Sequence, residues 1–347
     1  QHHYLIMSAV ASLSNSYRLG GAEAPPCVLS AFMGSTLDEL LDVIDKGGPR
    51  RTKGGERSRM DVVVMVPEIF QDNTDRNRTS PFAFTGDRFE FRAIGASANA
   101  ASAMLFLNTA VAQQLKLFKM LVDKEIEKGI QLEEALMKTI QKFVKESRDI
   151  RFEGNGYSEQ WHQEAEKRGL RGIEDVPAST SALLEEKTIA LMEEMCVMNR
   201  RELEARYEVK NQMYVKKLQI EARVLGDLAI NHFVPTAIRH ENLLLENVKG
   251  LRDVFPADEY EELASTQLKA LRKTAGYVNE IRNLVHLLIE ARKKANKVES
   301  LHERAREYAA AVMPVMERIR DCADHMEMIV DDELWPLPKY RELLFLR

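Results

Sequence analysis

The 347-residue sequence predicts an α+β fold, with strands and helices in its first part followed by a bundle of long helices. Two short segments have strand composition: residues 61–66 form a β-branched run, and residues 89–94 alternate apolar with charged side chains. From residue 180 to residue 330 the sequence is dominated by helical periodicity, with few glycines or prolines. The change in composition at Pro177–Thr180 predicts two domains, 1–176 and 177–347.

Turn residues and periodicity set the elements of the first domain. Glycines and prolines force a loop over residues 20–26, because glycine permits unusual φ angles and proline removes backbone donors. Ser35 or Thr36 is expected to cap a helix, Gly129 separates two others, and Ser158 is a further expected cap. The predicted helices cover residues 4–14, 27–34, 37–45, 99–128, 131–145 and 161–168.

The second domain is expected to be almost wholly helical. Long helices with one apolar stripe are buried most simply as an antiparallel bundle or helical hairpin. Met192, Met195 and Met198 recur at helical spacing. We expect this stripe and the Trp335–Pro338 tail to contact the first domain or a neighbouring subunit. The predicted helices cover residues 180–233, 236–250, 258–295 and 299–330.

Composition excludes several classes of protein. The net charge is −5 and the pI is near 6.0, whereas a nucleic-acid binder usually has a basic face. No apolar run approaches the ~20 residues of a membrane span. Cys27, Cys196 and Cys322 are far apart, which is typical of reduced thiols rather than of a disulfide framework or a zinc site. We therefore predict a cytoplasmic protein without a nucleic-acid or membrane partner.

The first residues, Gln1, His2 and His3, run directly into an apolar stretch. A natural N-terminus is usually polar and loosely held, so we expect part of the protein to precede Gln1. Adjacent histidines point in different directions on a helix or a strand, which disfavours a metal site formed by this pair.

Three polar segments of the first domain concentrate arginines and isolated carboxylates in irregular regions. They are residues 17–26 (YRLGGAEAPP), 75–82 (DRNRTSPF) and 87–92 (DRFEFR). Arginine is always charged and forks onto phosphate or carboxylate oxygens, so several arginines converging with one carboxylate suit phosphoryl transfer to an acidic substrate. Glu90 and Arg92 share one strand face, where they either line a cleft or form a cross-strand salt bridge on a solvated sheet.

These segments resemble motifs of the glutamine synthetases, most closely of the type III class. Tyr17–Pro25 is similar to the family segment that carries a substrate arginine and the glutamate of a closing flap. Asn77–Thr79 and Arg88–Arg92 are similar to two further family motifs and occur in the same order. The resemblance implies part of a glutamine synthetase catalytic domain over residues 1–176, an antiparallel sheet with helices, followed by the helical C-terminal domain of the type III class over 177–347.

The resemblance also implies a reaction and its participants. Glutamate and ammonia would be joined with ATP and Mg²⁺ or Mn²⁺, in a large ring-type homo-oligomer. The implied site residues are Arg18 and Arg92 for substrate, Glu23, Arg78 and Arg92 for catalysis, Arg88 for nucleotide, and Glu90 for a metal.

The sequence departs from the family pattern in two ways. Ala83 stands where shorter enzymes of the family have an arginine, so the basic segment 46–59 is a candidate for phosphate contact, with a merely solvated surface as the simpler interpretation. The family's other metal ligands would lie before residue 1, so this chain is expected to supply part of an active site and to be inactive alone.

The sequence is compatible with two alternative functions. One is a related ligase that joins glutamate to an amine other than ammonia, although the Glu23 carboxylate suits a small cation better. The other is a non-catalytic helical assembly module that retains the motifs.

Overall fold

The computed structural model describes residues 2–11, 28–46, 79–93, 99–170, 172 and 175–344. The chain divides into two compact units, Gln1–Val209 and Lys210–Arg347, and the division falls within a long helix, Arg200–Leu228. The described residues are mostly helical, with a small three-stranded sheet in the first unit. None of the described helices combines the length and the apolar composition needed to cross a membrane.

The elements up to residue 194 belong to the first unit. The strands are β1 (Ala31–Phe32), β2 (Phe82–Phe84) and β3 (Phe89–Phe91). The helices are α1 (His3–Val10), α2 (Ser35–Asp45), α3 (Ala101–Glu127), α4 (Leu132–Glu146), α5 (Glu159–Lys167), α6 (Val176–Thr180) and α7 (Glu186–Glu194), with 3₁₀ turns at Arg148–Ile150 and Ser181–Leu184.

The remaining helices extend to residue 343. They are α8 (Arg200–Leu228), α9 (Val234–Val254), α10 (Ala257–Leu263), α11 (Ser265–Asn296), α12 (Leu301–Glu307), α13 (Met313–Glu327) and α14 (Tyr340–Leu343). The π-helical turn Ala229–Phe233 lies between α8 and α9, and a second one, Tyr308–Val312, lies between α12 and α13.

The described sheet is mixed, not antiparallel as predicted. β2 pairs antiparallel with β3, but β1 pairs parallel with β2, opposing Ala31 to Phe82. Parallel neighbours require a crossover connection, and α2 lies in the segment that joins these two strands. The helix predicted over 27–34 is wrong. A short apolar run has no distinct helical period, and its pairing with β2 makes Ala31–Phe32 a strand. The strand predicted over 61–66 lies outside the described residues.

Two predicted helix boundaries are confirmed and one is wrong. Gly129, with a φ of +85°, separates α3 from α4, and the Ser158 hydroxyl accepts the Trp161 N–H at 3.2 Å to cap α5. The expected cap at Ser35 or Thr36 is wrong, because α2 begins at Ser35 itself. The preceding residue is Gly34, whose φ of +83° directs the chain into the helix.

One hydrophobic cluster of the first unit joins residues from near its beginning to residues from near its end. Leu5 of α1 and Phe106 of α3 pack with Leu183 and with Met192 of α7. Met198 belongs to the same cluster, so the methionine stripe contacts the first domain, one of its two expected partners. Because α6 and α7 pack on α1 and α3, the division between compact units falls later than residue 176; the domain boundary at 176/177 stays a prediction.

The predicted helix 180–233 is interrupted after α7. Cys196 has a φ of +55°, and the Val197 N–H donates to the Met192 carbonyl at 2.9 Å, which is a left-handed helix ending.

Two prolines of the second unit do not end their helices. Pro235 and Pro314 each follow a π turn, which accommodates the lost N–H donor and the bulk of the ring, so the chain continues as helix on both sides.

The second unit is built around α11. This helix packs against α9 on one side and α13 on another, and its buried residues include Ile281, Leu284 and Leu288. The Trp335 ring stacks on Phe233 with centroids 5.4 Å apart, so this part of the tail packs within its own unit.

The cluster that contains Met192 predicts a large stability difference between two methionines. Met192→Ala leaves a cavity among fully buried neighbours and should lower the free energy of unfolding by about 2–5 kcal/mol. Met213→Ala, the same change at a side chain that is 53% exposed, should change it by less than ~0.5 kcal/mol. Urea unfolding of both variants measures the difference, and equal midpoints would contradict the assigned core.

Candidate functional site

The third arginine-rich segment forms one strand of a β-hairpin. The Arg92 N–H donates to the Pro81 carbonyl at 2.7 Å, and the Thr85 N–H donates to the Arg88 carbonyl at 2.8 Å. Gly86 occupies the turn with a φ of +100°, which glycine adopts without the strain that a Cβ would introduce. The hairpin therefore has a defined register, and this register assigns each side chain to a face.

The two faces of the hairpin differ in chemistry. On one face the Phe82 ring stacks on Phe89 with centroids 4.9 Å apart, and the Phe91 ring lies edge-on at 6.2 Å. On the other face Glu90 lies opposite the buried Ala83. This is the two-residue alternation expected from the sequence.

Glu90 is flanked by two arginines on its own strand. The Arg92 Nε donates to Glu90 Oε2 at 2.8 Å, and an Arg88 nitrogen lies 3.5 Å from Glu90 Oε1. The Glu90 side chain is 21% exposed, against 68% for Arg88 and 46% for Arg92. Both arginines flank β3, so these contacts run along the chain and not across to β2. A shielded carboxylate thus orients two guanidinium groups that remain accessible.

The start of the hairpin is fixed by a serine that the sequence did not single out. The Ser80 hydroxyl donates to the Ser30 carbonyl and accepts the Phe82 N–H at 3.1 Å. Thr79, Ser80 and Ser30 are all buried. Only a contact between residues 50 positions apart identifies this role, so no local pattern could have revealed it.

The remaining predicted site residues cannot be placed against this strand. Arg18, Glu23 and Arg78 lie outside the described residues, as does nearly all of the basic segment 46–59. Their convergence with Glu90 and Arg92 stays a prediction.

The described residues do not form a complete metal site. Divalent cations such as Mg²⁺ require several oxygen ligands, and Glu90 supplies one carboxylate. Within the described ranges no group of three or more His, Cys, Asp or Glu side chains is arranged to hold a metal ion. The described donor set alone therefore does not fit the metal that the resemblance implies.

A cavity of about 620 Å³ lies on the aromatic side of the hairpin in the first unit. Phe82, Leu29, Val111 and Phe118 contribute to its largely apolar lining, and neither Arg88, Glu90 nor Arg92 lines it. This cavity is therefore distinct from the charged face.

Comparison with known proteins shows what the chain is similar to. Residues 135–252 match the family model described as the glutamine synthetase C-terminal domain. The whole chain is similar to a glutamine synthetase of Bacteroides fragilis, with 46% identity over 98% of this chain and 47% of that protein. The chain is therefore similar to glutamine synthetases over nearly its whole length. The resemblance found in the arginine motifs is thereby confirmed.

Two further glutamine synthetases extend this comparison. A protein of Dictyostelium discoideum named type-3 glutamine synthetase is 34% identical over 100% of this chain and 47% of its own length. A glutamine synthetase of Butyrivibrio fibrisolvens is 28% identical over 98% of this chain and 47% of its own length. The chain spans about half the length of the curated relatives it matches.

The serine anchor of the hairpin predicts a local loss of order. Ser80→Ala deprives the Phe82 N–H and the buried Ser30 carbonyl of a partner, which should cost about 1–3 kcal/mol. Hydrogen exchange over residues 81–92 should accelerate accordingly. Ser181→Ala, at an exposed serine, is the control and should leave that segment unchanged. Unchanged exchange in Ser80→Ala would show that the anchor does not hold the strand.

Proposed function

We propose that this protein is an ATP-dependent glutamate–ammonia ligase of the type III class. The observation that carries the proposal is the 46% identity to a glutamine synthetase over 98% of the chain. In the proposed reaction the γ-carboxylate of glutamate attacks the γ-phosphorus of ATP and releases ADP, and ammonia then displaces phosphate from the γ-glutamyl phosphate. Negative charge develops on the phosphoryl oxygens, so fixed cations near them would lower the barrier.

The charged face of β3 supports this chemistry. Glu90 holds the Arg92 guanidinium by the 2.8 Å bond, so this cation would meet the transferring phosphoryl group without first reorganising. We assign Arg92 to substrate binding and catalysis on this ground. Arg88 is more exposed and has the weaker contact with Glu90, which suits a residue that reaches toward the nucleotide.

The other assignments rest on the sequence resemblance. Arg18 would bind the glutamate substrate, Glu23 would bind ammonium and accept its proton, and Arg78 would contact the transferring phosphoryl group. Each lies outside the described residues. Their proximity to Arg92 is part of the proposal.

We further propose ATP and Mg²⁺ or Mn²⁺ as cofactors. A bound divalent ion would neutralise charge on the phosphoryl oxygens. Glu90 is the described residue that we assign to it, and its remaining ligands must come from outside the described residues.

Self-association into a ring-type oligomer is the proposed assembly, and cytoplasmic location is proposed with it. In the second unit α8 buries Tyr214 and Leu218, while Met213, Ile220 and Val224 form an exposed apolar stripe. A helix with two apolar stripes can pack within its unit on one side and offer the other to another subunit.

The role of Arg92 can be tested in the full-length enzyme. Arg92→Ala should lower kcat at saturating ATP and glutamate by ~10²–10³, because a preorganised contact with transition-state charge is lost. Arg148→Ala removes an exposed arginine that lies 3.9 Å from Asp45 and should leave kcat unchanged. Near-normal turnover in Arg92→Ala would make the residue structural.

The exposed stripe of α8 can be tested by light scattering. Ile220→Glu should lower the average mass of the assembly, because a charge in an apolar interface is left without a partner. Met328→Glu places the same charge at a residue that is 88% exposed and should leave the mass unchanged. An unaltered assembly in Ile220→Glu would exclude this face as a contact.

A further inference from the structure

The cavity beside the hairpin has the size and the lining of a small-molecule site. Its volume of about 620 Å³ lies within the roughly 300–1,000 Å³ that such sites occupy. Helix α3 contributes Leu107, Ala110 and Val111 to the lining. The Phe118 and Phe143 rings, which also line the cavity, meet edge to face with centroids 5.5 Å apart. An apolar lining with aromatic rings suits a flat aromatic ligand, whose binding would remove apolar surface from water.

One polar residue of the lining is a histidine whose tautomer is determined by its neighbours. The Gln113 side-chain nitrogen donates to Glu194 at 2.8 Å, so the amide oxygen of Gln113 is the atom that faces His2. His2 Nε2 lies 3.0 Å from that oxygen and therefore carries the proton. Burial lowers the pKa of His2, which favours the neutral ring. The other ring nitrogen, Nδ1, is then a hydrogen-bond acceptor.

Two residues of the lining each contain a buried polar atom that lacks a partner. Within the part of the chain that the structure describes, neither His2 Nδ1 nor the Ser30 hydroxyl has a hydrogen-bond partner. Ser30 is fully buried, and its carbonyl already accepts the Ser80 hydroxyl. A buried polar atom without a partner is destabilising. Both atoms can accept a hydrogen bond, so the group that this cavity lacks is a donor.

The charged residues of the lining disfavour an anionic ligand. Glu146 and Asp149 are exposed carboxylates, and Glu146 lies 3.8 Å from Lys142. The Arg168 guanidinium donates to Glu164 at 3.0 Å and to a backbone carbonyl at 3.1 Å, so it is already engaged. A carboxylate or phosphate ligand would be repelled by the two lining carboxylates, whereas an uncharged ring would not.

We propose that this cavity binds an uncharged aromatic compound that carries a phenol-type hydroxyl. The ring would lie against the apolar lining, and the hydroxyl would donate to His2 Nδ1 or to the Ser30 oxygen. A phenol hydroxyl both donates and accepts, so it also matches a serine hydroxyl that does both. The site is built from residues of the first unit and does not use the charged face of β3. It is therefore a binding site additional to the one proposed for the ligase reaction.

Titration calorimetry of the full chain with two isomers of similar size tests this assignment. p-Cresol carries a hydroxyl donor, and anisole has the same atomic composition but no O–H group. The chain should bind p-cresol about tenfold or more tightly than anisole, because anisole leaves the buried acceptors unpaired. Equal affinity for the two isomers, or no binding of p-cresol, would overturn the proposal. Tighter binding of benzoate than of p-cresol would also overturn it.

Two variants remove the acceptors one at a time. His2→Phe and Ser30→Ala should each weaken p-cresol binding about tenfold and change anisole binding less. His286→Phe, the same change at an exposed histidine of α11, should bind p-cresol as the unmodified chain does. Unchanged p-cresol affinity in both His2→Phe and Ser30→Ala would contradict the assigned donors and acceptors.

Thermal melting without ligand separates a binding role of Ser30 from a structural one. Because the Ser30 hydroxyl has no partner among the described residues, Ser30→Ala should melt at or above the temperature of the unmodified chain. Ser30→Ala therefore decides the matter if His2→Phe does not fold. A lower melting temperature of Ser30→Ala would overturn the proposal, since the hydroxyl would then stabilise the protein without a ligand.

Discussion

Helix α1 is the element on which the first unit depends, because it joins the helical core to the small sheet. Leu5 belongs to the cluster that contains Phe106 of α3. Met7 forms a second cluster with Leu29, against which the aromatic face of the hairpin packs. A helix of eight residues is marginal in isolation, so these contacts maintain its conformation. Through α1 the strand that carries Glu90 is held to the same core as α6 and α7.

Local chemistry made part of the fold predictable. Gly129 and Ser158 end or begin helices by mechanisms that act within a few residues, and the alternation around Glu90 assigns strand faces directly. Features that depend on contacts with residues distant in the sequence could not be predicted from it. The segment around Ala31 became a strand because β2 lies beside it, and Pro235 did not break its helix because a π turn absorbs it. In both cases a neighbour overrides the propensity of the segment.

The same distinction between local and distant contacts applies to the candidate site. The shared face of Glu90 and Arg92 follows from a spacing of two residues, and the structure adds that the carboxylate is the shielded member which orients the arginine. The serine anchor at Ser80 has no counterpart in the sequence pattern, because its contact with Ser30 joins residues 50 positions apart.

The π turn between α8 and α9 also determines on which side of the helix the later residues lie. At ~100° per residue, Leu218, Ala222 and Ala229 lie within ~40° of one another around the helix axis. On an uninterrupted α-helix the buried Ala237 and Val248 would be rotated from that face by about 100°, which is the rotation of one residue. The π turn contains one extra residue, which returns Ala237 and Val248 to the buried side of the helix. The helix can therefore lose one residue within this turn and keep its contacts, whereas a deletion elsewhere would rotate every later side chain out of phase.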